Sequence, residues 1–484
     1  MSIIKLIKII NRSINLLKLK QVADFQVVNV LFILAFLFVF AHGEKSFAAC
    51  GFFAKKTALA PINVKEKIDY VNLCWWNNFS DPYLVEYIVR AVECNHNSKE
   101  ASWKVEEYRQ FVKYQFGQEL PSLSLSGYYI GAKFPDGKAF DNIKNNMFIV
   151  PLKASYEADV FLKNRDKTKS SKKTYEASKF EEQSSYISLV TDVATVYFNI
   201  VKFDRQICLQ QQAVDVEKEK LRREQSRFNR GVVSATDLNN SKKEYVTSKN
   251  ALEDFIKSRE KSLNQLAVLI GDSPCNTCEY KRISFDKLDY RAIIPCEISS
   301  DVVFSRPDIL AAESKLQKAN IDVRVARKEF LPKINLTGVY SLSNLGVDAF
   351  GTWQSTLAAL VADATVDLFK GGIKIANLKI NKSRYEQMFE AYRQADLIAL
   401  KEVNDTLIIV KQDTIIDNNT IKKMTIQADN YKRSLARFEN GVISCPQLLI
   451  EKQAVINAQQ NQVNTKINRL IDYLTLYKSV GGKL

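Results

Sequence analysis

Cysteines are the residues of this chain with the most evident chemistry, and three of them lie close together. Cys275 and Cys278 form a C-x-x-C pair, and Cys296 follows in the same linker. A zinc site would need a fourth ligand nearby, and the two histidines, His42 and His96, are distant in sequence. A redox pair would need a thioredoxin-like βαβ context, which is absent. The pattern favours a loop disulfide in an oxidising compartment, and we expect no metal and no cofactor.

Catalytic and nucleic-acid signals are missing from the rest of the sequence. There is no HExxH, no GxSxG and no phosphate-binding glycine loop, so no catalytic residue is predicted and the chain is not expected to be an enzyme. The formal net charge of +15 raises the question of nucleic acid. However, Lys and Arg are interleaved with Glu and Asp, as on a solvated helical face. We therefore expect no nucleic-acid partner.

The N-terminus is typical of an exported protein. Basic residues precede a continuously apolar segment, 27–41, which is shorter than the about 20 residues that span a bilayer. We predict that residues 1–49 are a signal peptide. The tetrapeptide FAAC that ends at Cys50 is similar to a lipobox and predicts lipidation of Cys50. Cleavage near Gly43 and retention of the segment as a membrane anchor are the alternatives.

Two sequence motifs occur twice in the chain. LPSLSLSG at 120–127 recurs as LPKINLTG at 331–338, and R-F-x-x-G-V-[VI]-S occurs at both 227–234 and 437–444. Repetition at a constant offset predicts a tandem duplication of about 200 residues per copy. We place the first repeat at 50–285 and the second at 286–484.

Each predicted repeat contains two strands. Residues 120–129, 148–159, 334–340 and 362–368 alternate between apolar and polar side chains, as one-sided strands do. Strands of this kind are typical of outer-membrane β-barrels, although a soluble sandwich alternates similarly. Four strands are too few to close a barrel, and an open sheet edge cannot lie in lipid. A membrane barrel would therefore be shared by two chains with eight strands, or by three with twelve.

Long helical segments follow both strand pairs. The distance from the strands to Gly231 matches that to Gly441, and a further segment of equal length follows each glycine. Helices of 60 to 70 residues would reach about 100 Å. The glycines then predict helix–helix turns, with ordinary loop glycines as the alternative. Two hairpins of equal length are expected to end at the same level.

The ordered motifs resemble the TolC/OprM-type outer-membrane factors of Gram-negative efflux and secretion systems. They are WW-x-x-F-x-DP (75–82), LP (120–121), YE-x-D-x-F (156–161), RF-x-x-GVVS-x-x-D (227–237), SRPD (305–308), FLP (330–332), DLF-x-GG (367–372), RF-x-x-G (437–441) and LYK-x-x-GG (476–482).

The resemblance implies a mixed α+β membrane protein that is a homotrimer. Three chains would share a twelve-stranded barrel in outer-membrane lipid, continued by a long periplasmic α-helical barrel and girdled by an equatorial region around 272–304 and the C-terminus. A periplasmic membrane-fusion adaptor would dock on the hairpin tips, and an inner-membrane RND or ABC pump would supply energy. The expected function is a passive exit duct for small molecules from an efflux system. The alternatives are the exit duct of a type I protein-secretion system and, from another class, a soluble coiled-coil structural protein.

The resemblance also implies particular site residues. The tip residues expected to dock the adaptor are Arg227, Phe228, Gly231, Val232, Val233, Ser234, Arg437, Phe438, Gly441, Val442, Ile443 and Ser444. The expected gate residues are Thr236, Asp237, Gln447 and Glu451.

Three further assignments complete these expectations. The family often carries acidic residues where this chain has Gln447 and Ile450, so closure is expected to involve apolar contacts or Glu451. Asp159 and Asp367 are expected to face the lumen or, alternatively, to cap the following helices. Trp75 and Trp76 are interpreted as packing aromatics.

Overall fold

The computed structural model of the protein describes residues 64–131, 146–275, 280–290, 298–343 and 356–483. The predicted signal peptide, Cys50, Cys278 and Cys296 lie outside these ranges.

Helices form most of the described chain. The helices are α1 (Val64–Asp69), α2 (Leu73–Trp76), α3 (Pro82–Cys94), α4 (His96–Gly117), α5 (Lys163–Asn229), α6 (Ala235–Leu269), α7 (Ser300–Phe304), α8 (Pro307–Lys328), α9 (Ile373–Glu439) and α10 (Cys445–Ser479). The strands are β1 (Ser122–Leu125), β2 (Tyr128–Gly131), β3 (Asn146–Ala158), β4 (Lys333–Ser343) and β5 (Thr356–Thr365). Short 3₁₀ turns cover Asn77–Phe79 and Phe285–Lys287.

The sheet is antiparallel and fills four strand positions. The first position is divided between β1 and β2, which pair with β3 in one continuous register. In that register Ser126 lies opposite Pro151, and Pro151 accepts a hydrogen bond from the Ser126 N–H at 3.1 Å but has no N–H to return. The single strand predicted over 120–129 is therefore interrupted at this proline.

The fourth strand is shorter than its sequence pattern. β5 was expected to continue to Leu368, but it ends at Thr365, opposite Lys333 at the start of β4. Pro332 comes directly before Lys333 and has no N–H for the ladder. Pairing therefore stops there, and Leu368 stands 94 % exposed outside the sheet.

The two faces of the sheet differ as the alternation predicts. The register places Leu152 beside Leu125 on one side and Tyr340 on the other, so this face is apolar. On the opposite face Asn335 lies between Glu157 and Asp363, and its amide donates to Asp363 at 2.9 Å.

The long helices form a single layer below the sheet. Near the sheet the contacts run α4–α5–α8–α9, and towards the tips they run α6–α5–α10–α9. The continuous helices α5 and α9 have 67 residues each, about 100 Å, and α6 and α10 have 35 each. One edge of the layer is thus α4 with α6, and the other edge is α9.

A girdle, defined here as residues 64–94 and 280–290, packs on one side of this layer. Trp75 stacks on Tyr477 of α10 with ring centroids 4.4 Å apart, and Tyr290 contacts Tyr473 at 4.7 Å. Trp75 and Trp76 are buried, which confirms that they are packing aromatics. On α5, the Tyr197 hydroxyl donates to Asp81 at 2.5 Å and accepts the Ile283 N–H at 3.0 Å.

Gly271, where α6 ends, should tolerate substitution less well than Gly231 at the hairpin turn. Both residues have positive φ, which costs an L-residue about 1–2 kcal/mol. An added Cβ at Gly271 would also lie 2.6 Å from the Cys94 carbonyl oxygen, whereas at Gly231 it meets nothing within 4 Å. We predict that Gly271→Ala lowers the melting temperature clearly more than Gly231→Ala, measured by circular dichroism in detergent. An equal loss in both variants would show that the Cys94 contact does not matter.

Candidate functional site

The two hairpin tips turn through the same backbone geometry. Gly231 has φ of 73° and Gly441 has φ of 75°. At the first tip the Gly231 N–H donates to the Phe228 carbonyl at 2.8 Å, and the Val232 N–H donates to the Arg227 carbonyl at 3.0 Å. The second tip repeats both hydrogen bonds. This pair of bonds around a left-handed residue is the Schellman motif, so both copies of the repeated sequence motif form the same turn.

The predicted docking residues of each repeated motif come together in that turn. Val232 and Val442 are each 62 % exposed, and the rings of Phe228 and Phe438 are also exposed. The remaining members divide between half-buried residues (Val233 and Ile443) and exposed or charged ones (Arg227, Ser234, Arg437 and Ser444). Each tip therefore presents a small apolar surface bordered by polar groups.

Two of the predicted gate residues bond within their own turns. Asp237 accepts hydrogen bonds from the Ser234 hydroxyl at 2.7 Å and from the Ser234 N–H at 3.2 Å. Gln447 accepts from the Ser444 N–H at 3.0 Å in the same position of the second tip. Both are capping boxes, and their S-x-x-[DEQ] signature begins at the last serine of each repeated motif. The Ser234 hydrogen bonds hold the pKa of Asp237 below its usual value.

The other two gate residues differ in their surroundings. Thr236 is exposed on the first turn of α6. Glu451 accepts a hydrogen bond from the Gln427 amide at 2.9 Å, which links α10 to α9 within one hairpin. The gating role of all four residues stays a prediction.

Asp159 and Asp367 lie where the strands pass into the long helices. The Asp159 carboxylate accepts the Lys163 N–H at 2.6 Å and the Arg165 N–H at 2.8 Å, so it caps the start of α5. Asp367 forms ion pairs with Lys370 at 3.6 Å and Lys374 at 3.2 Å at the start of α9. These contacts agree with the capping alternative for Asp159, and the lumen-facing role of both residues stays a prediction.

An uncharged amide network joins the helices between girdle and tips. The Gln206 amide of α5 donates to Asn464 of α10 at 3.1 Å, and Gln460 donates to Gln210 at 2.9 Å. Gln210 in turn donates to the Ser248 carbonyl of α6 at 2.9 Å. Sequence reasoning missed this network, although the run NAQQNQVN at 457–464 is its visible signal.

Within the described ranges, no group of His, Cys, Asp and Glu side chains could hold a metal ion. No helix among the described residues is long and apolar enough to cross a membrane. Cys275 is exposed, and its predicted partners Cys278 and Cys296 fall outside the described ranges, so the loop disulfide stays a prediction.

A four-position sheet continued by a layer of very long helices is the fold of outer-membrane channels. The crystal structure of the Campylobacter jejuni CmeC outer membrane channel matches with a TM-score of 0.77. The match covers 84 % of this chain and 87 % of that chain at 23 % identity, so it shows the fold. The predicted fold class is thereby confirmed.

The chain belongs to the outer membrane efflux protein family, which matches residues 87–272 and 299–482. It is 25 % identical over 412 residues to the solvent efflux pump outer membrane protein SrpC of Pseudomonas putida, covering 84 % of this chain and 86 % of that protein. It is also 25 % identical over 430 residues to the cation efflux system protein CusC of Escherichia coli O157:H7, covering 86 % and 89 %. The predicted function as an outer-membrane efflux channel is confirmed, and the protein is located in the outer membrane.

The caps of the two tips should respond differently to acid. The pKa of Asp237 is depressed, so its hydrogen bonds stabilise the turn above the usual aspartate pKa and are lost as pH falls through the lower folded value. Gln447 does not ionise in this range, so the second cap should persist. We predict that amide hydrogen exchange at residues 234–237, corrected for intrinsic rate, becomes faster when the pH is lowered from about 5 to about 3. This range spans the ordinary aspartate pKa. Equal acceleration at residues 444–447 would contradict this.

Proposed function

We propose that this channel is a homotrimer whose three chains join into one ring and share one barrel and one helical conduit. The observation that carries the proposal is that the sheet and the helical layer are open at corresponding edges. β1 and β2 lie at one edge of the sheet and β5 at the other, while α4 with α6 and α9 form the edges of the helical layer. Joining unlike edges of successive copies forms a ring.

The sheet supports this closure. Its apolar face carries strongly exposed leucines at both edges, including Leu123 at 71 % and Leu360 at 81 %. Lipid can cover these side chains, but it cannot satisfy the N–H and C=O groups of an open edge. Four strand positions per chain give twelve in a trimer, which leaves space for a channel.

The exposed side of α9 supports the proposed closure of the ring as well. Leu397, Ile408, Ile415 and Ile426 are exposed and fall on one stripe. Buried residues of α9, such as Val410, lie about half a turn away and face its own chain. A stripe of this kind is suited to the α4 and α6 edge of the next copy, because that contact would remove its apolar surface from water.

A charge in this stripe should prevent trimer formation. We predict that Ile408→Glu yields mostly monomer, because an unpaired carboxylate would be buried at the interface. Lys218→Glu, at an exposed position of α5, should leave the trimer intact. Light scattering of detergent-purified protein gives the mass, and membrane fractionation checks the location. A trimeric Ile408→Glu variant would count against this interface.

At the tips, we propose that the apolar turns dock a periplasmic membrane-fusion adaptor that connects the channel to an inner-membrane RND or ABC pump. Two tips per chain give six per trimer, all with the same Schellman turn. The efflux relatives named for solvents and for a cation share similar identity to this chain. We therefore assign selection of the cargo, a small molecule or ion, mainly to the pump.

The remaining assignments concern processing and the internal repeats. We propose removal of residues 1–49, lipidation of Cys50, and two repeats at 50–285 and 286–484. The equal lengths of α5 and α9, and of α6 and α10, support the repeats. The lipid would hold the mature N-terminus at the membrane surface.

Docking should fail when the tip valines become charged. We predict that Val232→Glu with Val442→Glu abolishes adaptor capture and efflux-dependent resistance while trimers still reach the outer membrane. The control is Lys218→Glu, at an exposed position of α5 away from the tip turn. Capture is measured with a purified periplasmic membrane-fusion adaptor that binds wild-type trimers. Retained capture by the double variant would remove the valines from the docking surface.

A further inference from the structure

Two aspartates meet where α9 and α10 pack side by side. Asp413 of α9 and Asp472 of α10 are both half-buried, and their carboxyl groups are within hydrogen-bonding distance of each other. This contact joins the two arms of the second hairpin. Two ionised carboxylates cannot form a hydrogen bond, because neither has a hydrogen to donate. The contact is therefore favourable only when the pair holds a proton.

A second observation at Asp472 also indicates a missing proton. Its Oδ2 atom is buried, and no donor among the described residues reaches it. Leaving a buried carboxylate oxygen unsatisfied is costly, and a proton shared with Asp413 would supply the hydrogen bond. Burial and the neighbouring Asp413 carboxylate both raise the pKa of Asp472, to about 7. The pair therefore gains or loses a proton near neutral pH.

One turn nearer the tip, another acid of the same two helices is held differently. Asp417 accepts the Thr465 hydroxyl at 2.8 Å, and a guanidinium nitrogen of Arg469 lies 3.0 Å from its carboxylate. Asp417 thus has a cation as a partner, as buried carboxylates usually do. Arg469 is about one turn from Asp472 along α10 but is directed to Asp417. It is therefore not the partner of Asp472.

The lysine of α10 at this level faces the girdle. The Lys466 amine lies over the Phe285 ring, 4.9 Å from its centre. The girdle carboxylates of Asp286 and Asp289 attract the same amine. Lys466 is therefore used on the girdle side of α10, away from the contact with α9.

Helix α5 and the last turn of α10 also leave the pair without a cation. Burial lowers the pKa of Lys202 on α5, and no carboxylate opposes this effect. Lys478 lines a cavity beside Asp405 of α9. Among the described residues, Asp413 is therefore the charged group that acts on Asp472.

We propose that Asp413 and Asp472 form a proton-binding site that clamps α9 to α10 when the two carboxyl groups share one proton. The protonated group then donates to the ionised one, and such a charge-assisted hydrogen bond is stronger than a neutral one. Loss of the proton leaves two like charges in contact, so the helices repel each other at this point. The contact lies within one chain and does not depend on the proposed trimer.

The site is a feature of the second hairpin. Because α5 matches α9 in length and α6 matches α10, the corresponding positions of the first hairpin are Phe203 and Ser262. Neither side chain can replace a carboxyl group. A rise in pH should therefore loosen one hairpin of the chain and leave the other unchanged.

Infrared spectroscopy of the purified protein tests for the proton directly. The difference between wild type and Asp472→Asn should contain a carboxylic-acid carbonyl band that disappears with a midpoint of about pH 7 as the pH rises. Asp413→Asn should also remove this titration. The matched control is Asp405→Asn, which changes an exposed carboxylate of α9 paired with Lys401 at 2.9 Å and should leave the titration unchanged.

Amide hydrogen exchange tests the clamp. Because the folded pKa of Asp472 is raised, its stabilising effect is complete below the ordinary aspartate pKa and is lost as pH rises to and through the folded value. In wild type, exchange at residues 468–476, corrected for intrinsic rate, should become several-fold faster from about pH 5 to about pH 8. In Asp472→Asn it should stay slow, because the amide can donate to Asp413 throughout this range.

Two results would overturn the proposal. One is a carboxylic-acid titration near neutral pH that is the same in wild type and in both Asn variants. The other is exchange at residues 468–476 that depends on pH equally in wild type and Asp472→Asn. Circular dichroism checks that each variant is folded, and Asp413→Asn replaces Asp472→Asn in both measurements if the latter is not. Light scattering reports the trimer separately, so a chain that fails to trimerise refutes the proposed assembly and not the clamp.

Discussion

Unpaired backbone at the two edges of the sheet is the constraint on which the rest of the structure depends. A sheet in lipid needs every N–H and C=O paired, and one chain leaves the edge of β1 and β2 and the edge of β5 open. The strands pass almost directly into the helices, with Asp159 capping α5 after β3 and Asp367 pairing with Lys374 at the start of α9. The order of the strands is therefore carried down into the order of the helices. In the proposed trimer one closure of the ring satisfies both layers, which would explain why an apolar stripe remains on α9 of the single chain.

The tips show how one backbone turn can serve two purposes. The Schellman bonds around Gly231 and Gly441 depend on positive φ and fix the path of the chain. The capping box after each turn fixes the start of the returning helix, with a carboxylate in the first copy and an amide in the second. Because these groups are used in local hydrogen bonds, the polar residues of each tip stabilise its shape. In the proposed docking of an adaptor, recognition is then left to Val232, Val442 and the neighbouring surface.

Much of this fold could be predicted from periodicity, because strand alternation and helix length are local properties of the sequence. The equal arms and the glycine turns were predicted for that reason. The interruption of the first strand was not, because it arises from Pro151 on the neighbouring strand, and pairing partners are not visible in one segment. The early end of β5 has the same origin in Pro332. The capping boxes could have been recognised, since Ser234 and Asp237 carry the signature within four residues. The Gln206 to Asn464 bond joins residues 258 apart and needs the tertiary fold.

Charged and uncharged side chains lie on different sides of α10. Its girdle side carries Lys466 above an aromatic ring, where the amine can remain near solvent while its stem packs on Phe285. Its other side carries amides, which bond equally well to water, to one another and to many solutes without selecting a sign of charge. A wall of fixed charges would retain counter-ions and oppose cargo of the same sign. In the proposed trimer, an uncharged face of α10 turned towards the conduit would avoid both effects, so a duct that serves a pump of separate specificity would remain permissive along its length.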